Sequence, residues 1–198
     1  MFVFGLLAQL LVYGALGFLS PTMSLHLMSS PGFDEFWVGI FFGVPVIIYI
    51  INTPLVSFYL KWSSRRTVIF LGMTIFCVAC AMIGTSPLLG IPNSTQIIFL
   101  GLCCVGFASS MVVIPIFPEM LHSIENQLPE LKGDQLNNVA AGYFNSFLGV
   151  GEAIGPIFAS VMTSWIGFRK SEDIVAGIIA AYCIAFFLLC GRVALFSK

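Results

Sequence analysis

Asn138, Gly142, Asn145, Gly149, Glu152 and Pro156 follow one another at intervals of four, three, four, three and four residues. That alternation returns to one side of an α-helix, so the six share a face. Val150, Phe158 and Val161 fall on the opposite side. A charge at the centre of a membrane helix costs roughly 2.5–3.5 kcal/mol on insertion scales. A glutamate retained there should face a partner or a wet cavity and is suited to carry a proton or a cation. Two readings stand side by side. In one, the face is a tight helix–helix seam in which small residues let backbones approach and Glu152 is protonated and hydrogen-bonded. In the other, it is the wall of a transport cavity with Glu152 as the ion or proton site.

Further polar residues recur at helical spacing in two other apolar stretches. Gln9, Tyr13, Gly17, Ser20 and Ser24 share a face near the start of the chain, and Tyr49 and Asn52 share one with Pro45. Each alone reads as an interhelical hydrogen bond; as a set they offer hydroxyl and amide contacts to a polar ligand. Glu119 follows Pro118 near the end of the fourth apolar stretch. It reads as a solvated helix end or a salt bridge to a loop, with a gate contact as the sharper alternative. His26 and His122 are expected near opposite membrane faces, so they share no metal. Cys77-Val78-Ala79-Cys80 has the spacing of half a zinc site without a second pair, and the six cysteines read as small apolar packing residues. No phosphate loop, Ser/His/Asp set or carboxylate pair within one helix appears, so neither an enzyme nor a cofactor or metal is expected.

The elements that must position these residues follow from composition. The chain has 198 residues, of which 59% are hydrophobic and 9% charged, with a mean hydropathy of +1.02. Ordinary soluble domains carry about 25% charged residues, so a soluble globular protein is excluded. A net charge of −1 without a basic cluster argues against nucleic acid. A bilayer-spanning helix needs about 20 apolar residues. Six such helices are predicted near 2–28, 35–60, 67–86, 95–121, 138–166 and 173–196, forming one bundle over 1–198 in an all-α integral membrane fold. The first is read as a membrane helix rather than a signal peptide, because it lacks a positive leader and runs on to Met28. Pro21, Pro45, Pro54, Pro115, Pro118 and Pro156 lie in or near these helices and predict bends. Lys61, Arg65, Arg66, Lys132, Arg192 and Lys198 fall on one side of the membrane, which the positive-inside rule makes the cytoplasm. Both termini are then cytoplasmic, and the glycosylation sequon Asn93-Ser94-Thr95 lies opposite. Trp37, Trp62 and Trp165 near helix ends fit an interfacial aromatic belt.

Six helices with a basic loop between the second and third resemble one half of a major facilitator superfamily transporter. The stretch Ile114-Pro115-Ile116-Phe117-Pro118-Glu119-Met120-Leu121 resembles the tenth-helix signature of the vesicular amine and polyamine transporter branch. An acidic loop from Glu125 to Asp134 follows it. Leu148-Gly149-Val150-Gly151-Glu152-Ala153-Ile154-Gly155-Pro156 resembles that branch's eleventh-helix Gly-Pro motif, closed by Trp165-Ile166-Gly167-Phe168. Ser20-Pro21-Thr22-Met23-Ser24-Leu25 looks like the end of the seventh helix, and Asn52-Thr53-Pro54-Leu55 fits the eighth. The chain departs from the pattern in places. Lys61 and Ser64 replace the loop motif's Asp and Gly, Ser20 stands where an acid is usual, and Asn145 stands where monoamine members carry Asp. Glu152 stands where a small residue is usual.

The resemblance implies the C-terminal half of a major facilitator fold, a repeat of three plus three helices. It implies proton exchange against a small organic cation, an amine or polyamine, with Glu152 as the cation and proton site. Asn145, Tyr13, Ser20, Tyr49 and Asn52 would supply polar contacts. Pro115, Pro118, Gly155 and Pro156 would provide bends, and Glu119 a gate. Partners would be the lipid bilayer, of a vesicle, endomembrane or plasma membrane, and an N-terminal six-helix half from a missing segment, a separate chain or a second copy. The alternative from a different class is a non-transporting structural subunit of a membrane assembly.

Overall fold

The computed structural model describes residues 2–29, 32–127 and 133–191. Among them are six helices, α1 (Phe2–Met28), α2 (Glu35–Trp62), α3 (Arg65–Ile83), α4 (Thr95–Gln127), α5 (Asp134–Ile166) and α6 (Phe168–Phe186), and a π-helical turn at Phe187–Gly191. All six are long and apolar enough to cross a membrane. The fold is all-helical, as expected of one half of a major facilitator transporter.

Local chemistry sets the helix limits. Asp34 caps α2, its Oδ1 accepting from the Trp37 backbone N–H at 3.1 Å. Ser64 caps α3 in the same way through the Thr67 N–H at 3.3 Å, so α3 starts at Arg65 rather than at the expected position 67. It stops at Ile83, short of the expected 86, because Thr85 turns into the left-handed region with φ 42°. α4 passes Leu121 to Gln127, since residues 122–127 contain neither proline nor glycine. It stays helical through Pro115 and Pro118, each of which removes only one backbone donor. α5 starts at Asp134 rather than 138, directly after Gly133 with its φ of 58°. Gly167, with φ 82°, ends α5 and begins α6. That one-residue corner starts α6 at Phe168, where a loop to residue 173 was expected. The expected end of α6 at 196, with Arg192 and Lys198, lies outside the described residues, as do Glu130 and Lys132.

α4 is the most enclosed helix, flanked by α2 and α3 and touching α1 and α5; α6 packs on α3. Phe18, Phe76, Met73, Ile83, Ile116 and Met120 fill the centre and are virtually inaccessible. Outward-facing surfaces are apolar: Ile47, Ile50, Ile51 and Phe58 of α2, and Ile154 and Ile157 of α5, are all exposed. Lipid tails are as apolar as these side chains, so burying them drives no helix association in a membrane. Association must come from close packing, and the glycines show where. A β-carbon on Gly72 of α3 would meet Val112 of α4 at 2.7 Å. One on Gly101 of α4 would meet Ile83 of α3 at 2.8 Å. On Gly106 of α4 it would run into the backbone of Pro45 in α2.

The most extensive seam joins α1 to α5. The stripe that α5 buries is Ala140, Gly151, Gly155 and Ala159. A β-carbon on Gly151 would meet the Leu10 carbonyl oxygen at 2.8 Å and the Gly14 nitrogen at 3.0 Å. One on Gly155 would meet the Phe18 nitrogen at 3.0 Å, with the Gly14 carbonyl closer still. The seam reading assigned close approach to the whole polar face, but a neighbouring stripe makes most of it, and of the polar face only Glu152 and Pro156 come near α1, beside Gly17. Asn138, Gly142, Asn145, Gly149 and Glu152 remain exposed, with open space over both glycines.

Candidate functional site

Two clefts meet along α1. The first, about 320 Å³, lies between α1, α2 and α4 and includes Tyr13, Ser20, Phe42, Tyr49, Ser109 and Val113 in its walls. The second, also about 320 Å³, lies between α1 and α5 and is lined by Tyr13, Leu16, Gly17, Ser20, Glu152 and Pro156. Tyr13, Leu16 and Ser20 belong to both, so the clefts share a wall. Helical spacing on α1 puts Tyr13 and Ser20 two turns apart on one side, and the small Gly17 between them brings α5 close enough to present Glu152. Tyr13 lies near enough to interact electrostatically with both Tyr49 and Glu152.

The expected site residues divide. Tyr13, Ser20 and Glu152 converge on one cleft, and Tyr13, Ser20 and Tyr49 on the other. Ser20 Oγ also donates to the Leu16 carbonyl at 3.3 Å, a local bond that leaves its lone pairs free to accept. Asn145 is exposed on α5 and lines neither cleft. Asn52 is a correction. It is only 2% exposed, and its amide nitrogen donates to Ser110 Oγ at 2.7 Å and to the Phe107 carbonyl at 3.2 Å. It ties α2 to α4 instead of facing a ligand.

The hinge and gate residues also divide. Pro115 is buried in α4, and Pro118 lies next to Glu119 without ending the helix. Gly155 and Pro156 sit in the α1–α5 seam, the Pro156 ring 3.1 Å from where a Gly17 β-carbon would stand. Glu119 is not a solvated helix end. It is inside α4 and 7% exposed, and its Oε1 accepts from Arg66 Nε at 2.7 Å. Arg66 belongs to the first turn of α3, not to a loop, so the pair clamps α3 to α4 at the end of the bundle that carries the α2–α3 turn.

Two residues escaped the sequence reading. Ser109 reaches the wall of the first cleft with its hydroxyl unpartnered. In an unbroken apolar run a serine gives no spacing signal. Glu172, read as part of a loop, is fully buried on the second turn of α6. Phe168, Ser171, Val175 and Ile179 continue the buried helical period through it, which was the available signal.

A carboxylate beside one phenol ring and one hydroxyl, with a second phenol and a second hydroxyl in the adjoining cleft, in otherwise apolar walls, has the chemistry to hold an organic cation. The carboxylate supplies charge, the ring faces attract a cation, and the hydroxyls direct N–H groups. Among the described residues no group of three or more His, Cys, Asp or Glu side chains is placed to hold a metal ion.

No protein-family model and no solved structure matches the chain. It is similar to the MFS-type transporter SLC18B1 of Mus musculus, 29% identical over 174 residues, covering 83% of this chain and 37% of the relative. The proteins of the same name from Rattus norvegicus and Homo sapiens are 29% and 27% identical over 161 residues. The chain spans only about a third of the length of these relatives, which are transporters rather than enzymes.

Proposed function

Taking the chain as a multi-pass membrane protein related to the MFS-type transporters, we propose that it forms one six-helix half of a secondary transporter for a small organic cation, an amine or polyamine, driven by proton exchange. The observation that carries this reading is Glu152 beside Tyr13 and Ser20 in the α1–α5 cleft, which adjoins the Tyr49 and Ser109 cleft. A carboxylate in low dielectric binds either a proton or a cation. Competition between the two on one group couples their movements in opposite directions. The exposed face of Asn138, Asn145 and Glu152 would be covered by an N-terminal six-helix half, leaving a wet site near the midplane between the halves. Asn145 then contacts substrate from the far side of the cavity. The seam at Gly155 and Pro156 and the missing backbone donors at Pro115 and Pro118 would let the bundle rock, and the Arg66–Glu119 pair would close one end.

The test is uptake of a radiolabelled polyamine into proteoliposomes that hold this chain with its complementary half, driven by a pH gradient. Glu152→Gln abolishes gradient-driven uptake while leaving assembly intact. Uptake with unchanged rate and pH dependence removes Glu152 from the mechanism. A stoichiometric complex without flux of any organic cation favours the structural-subunit role.

A further inference from the structure

Glu172 stands apart from the clefts, at the end of the bundle formed by the α3–α4 and α5–α6 turns. It is fully buried, and neither carboxyl oxygen has a hydrogen-bond partner. Its β-carbon would be 2.5 Å from a β-carbon on Gly84, so only a glycine at the end of α3 leaves room for it. On its own helix Arg169 lies one turn earlier, but that guanidinium is engaged elsewhere, and Lys170 is exposed. Arg169 Nε donates to the Thr85 carbonyl at 3.1 Å, and Nη2 donates to the same oxygen and to the Ile91 carbonyl at 3.0 Å. Those bonds hold the α3–α4 turn, where Thr85 keeps a φ of 42° that β-branched residues rarely adopt.

The other titratable groups around Glu172 do not neutralise it. From α3 comes the buried thiol of Cys80, and from α6 the carboxyl of Asp173, whose Oδ2 is itself unpartnered. From α1 comes His26, stacked on Phe168 with ring centroids 4.5 Å apart and hydrogen-bonded to Asn93. The α3–α4 turn, residues 84–94, contains no charged residue. A buried carboxylate with no partner is among the most costly arrangements a protein can hold, whereas the neutral acid is tolerated.

We propose that Glu172 is a proton-binding site that controls the α3–α4 turn through Arg169. With a proton on one oxygen the carboxyl is neutral and Arg169 stays on the Thr85 and Ile91 carbonyls. When the proton leaves to water, an unpaired anion remains three residues from a guanidinium, a separation at which helical side chains meet. Arg169 swings to the carboxylate, its bonds to the turn break, and this end of the bundle loosens. The site is separate from Glu152 and does not depend on what the clefts bind.

The test uses the full chain in lipid nanodiscs and reads amide hydrogen exchange of residues 84–94 across a pH series, in wild type and Glu172→Gln. Glutamine mimics the neutral acid, and the ratio of the two proteins at each pH cancels the intrinsic pH dependence of exchange. The ratio is near one in acid, and at alkaline pH the wild type exchanges at least tenfold faster. A ratio of one throughout overturns the proposal. Infrared spectroscopy provides a second reading that survives a failure of the glutamine variant to fold. In Glu152→Gln, where that carboxyl cannot contribute, a protonated-carboxyl band persists at neutral pH and disappears as exchange of 84–94 rises. No such band at neutral pH also overturns the proposal.

Discussion

Replacing Gly155 by alanine tests the α1–α5 seam against its own helix. The added methyl would stand 3.0 Å from the Phe18 nitrogen and 3.1 Å from the Gly17 carbonyl carbon, with the Gly14 oxygen nearer still. All three are backbone atoms of α1, so no rotamer change relieves the contact. Ordinary non-bonded separations are about 3.5–4 Å, so the two helices must part by at least half an ångström along the seam. Overpacking of this kind costs about 1–3 kcal/mol. Gly149, on the same helix with nothing near its β-carbon, is the control. There alanine gains helix propensity, up to about 1 kcal/mol. In a chain of this size each kcal/mol moves the melting temperature by about 2–4 °C. Thermal unfolding in one detergent should therefore show Gly155→Ala melting several degrees below wild type and Gly149→Ala at or slightly above it. Equal melting temperatures for the two variants would refute the packing argument, because propensity alone treats both sites alike.

Three more outcomes follow from named contacts. Asn52→Ala removes both α2–α4 hydrogen bonds and should lower stability by about 1–2 kcal/mol, at about 0.6 kcal/mol and up to 1.7 for each interhelical bond; unchanged unfolding by denaturant would contradict the placement of Asn52. A double-mutant cycle of Arg66→Gln and Glu119→Gln should give a coupling of about 1 kcal/mol, because the arginine side of the pair is partly solvent-exposed; zero coupling would mean that the pair does not clamp α3 to α4. Arg169→Lys loses the planar fork that serves two carbonyls. Hydrogen exchange of residues 84–94 should then quicken at every pH, and protection equal to wild type would show that the turn is held by other means.

Six apolar stretches announce the helices because hydropathy is a property of local composition. Their limits depend on single residues. Ser64 starts α3 early, Thr85 ends it early, and one glycine at 167 turns a supposed loop into a corner. The polar periodicity of α5 is visible in the sequence, and the face from Asn138 to Gly149 stays uncovered by the bundle's own helices. The sequence does not say which neighbouring stripe makes the seam, because Gly151 and Ala159 differ from other small residues only in what stands opposite them. Asn52 looks like a ligand residue, and Glu119 like a solvated helix end, until their partners are known. Those partners, Ser110 and Arg66, lie more than fifty residues away in the chain. Ser109 carries no local signature, and the helical period through Glu172 shows its burial but not its lack of a partner, since an unpartnered polar atom is defined by its surroundings.

Transport through this bundle requires that residue 152 line a water-filled cleft between bundles. Glu152→Cys in membrane vesicles, treated with a membrane-impermeant thiol reagent and compared with wild type to subtract native cysteines, measures that directly. One additional thiol should be labelled, at a rate that slows when polyamine is present. A cysteine at 152 that stays unlabelled under all conditions, as it would facing acyl chains, contradicts this placement.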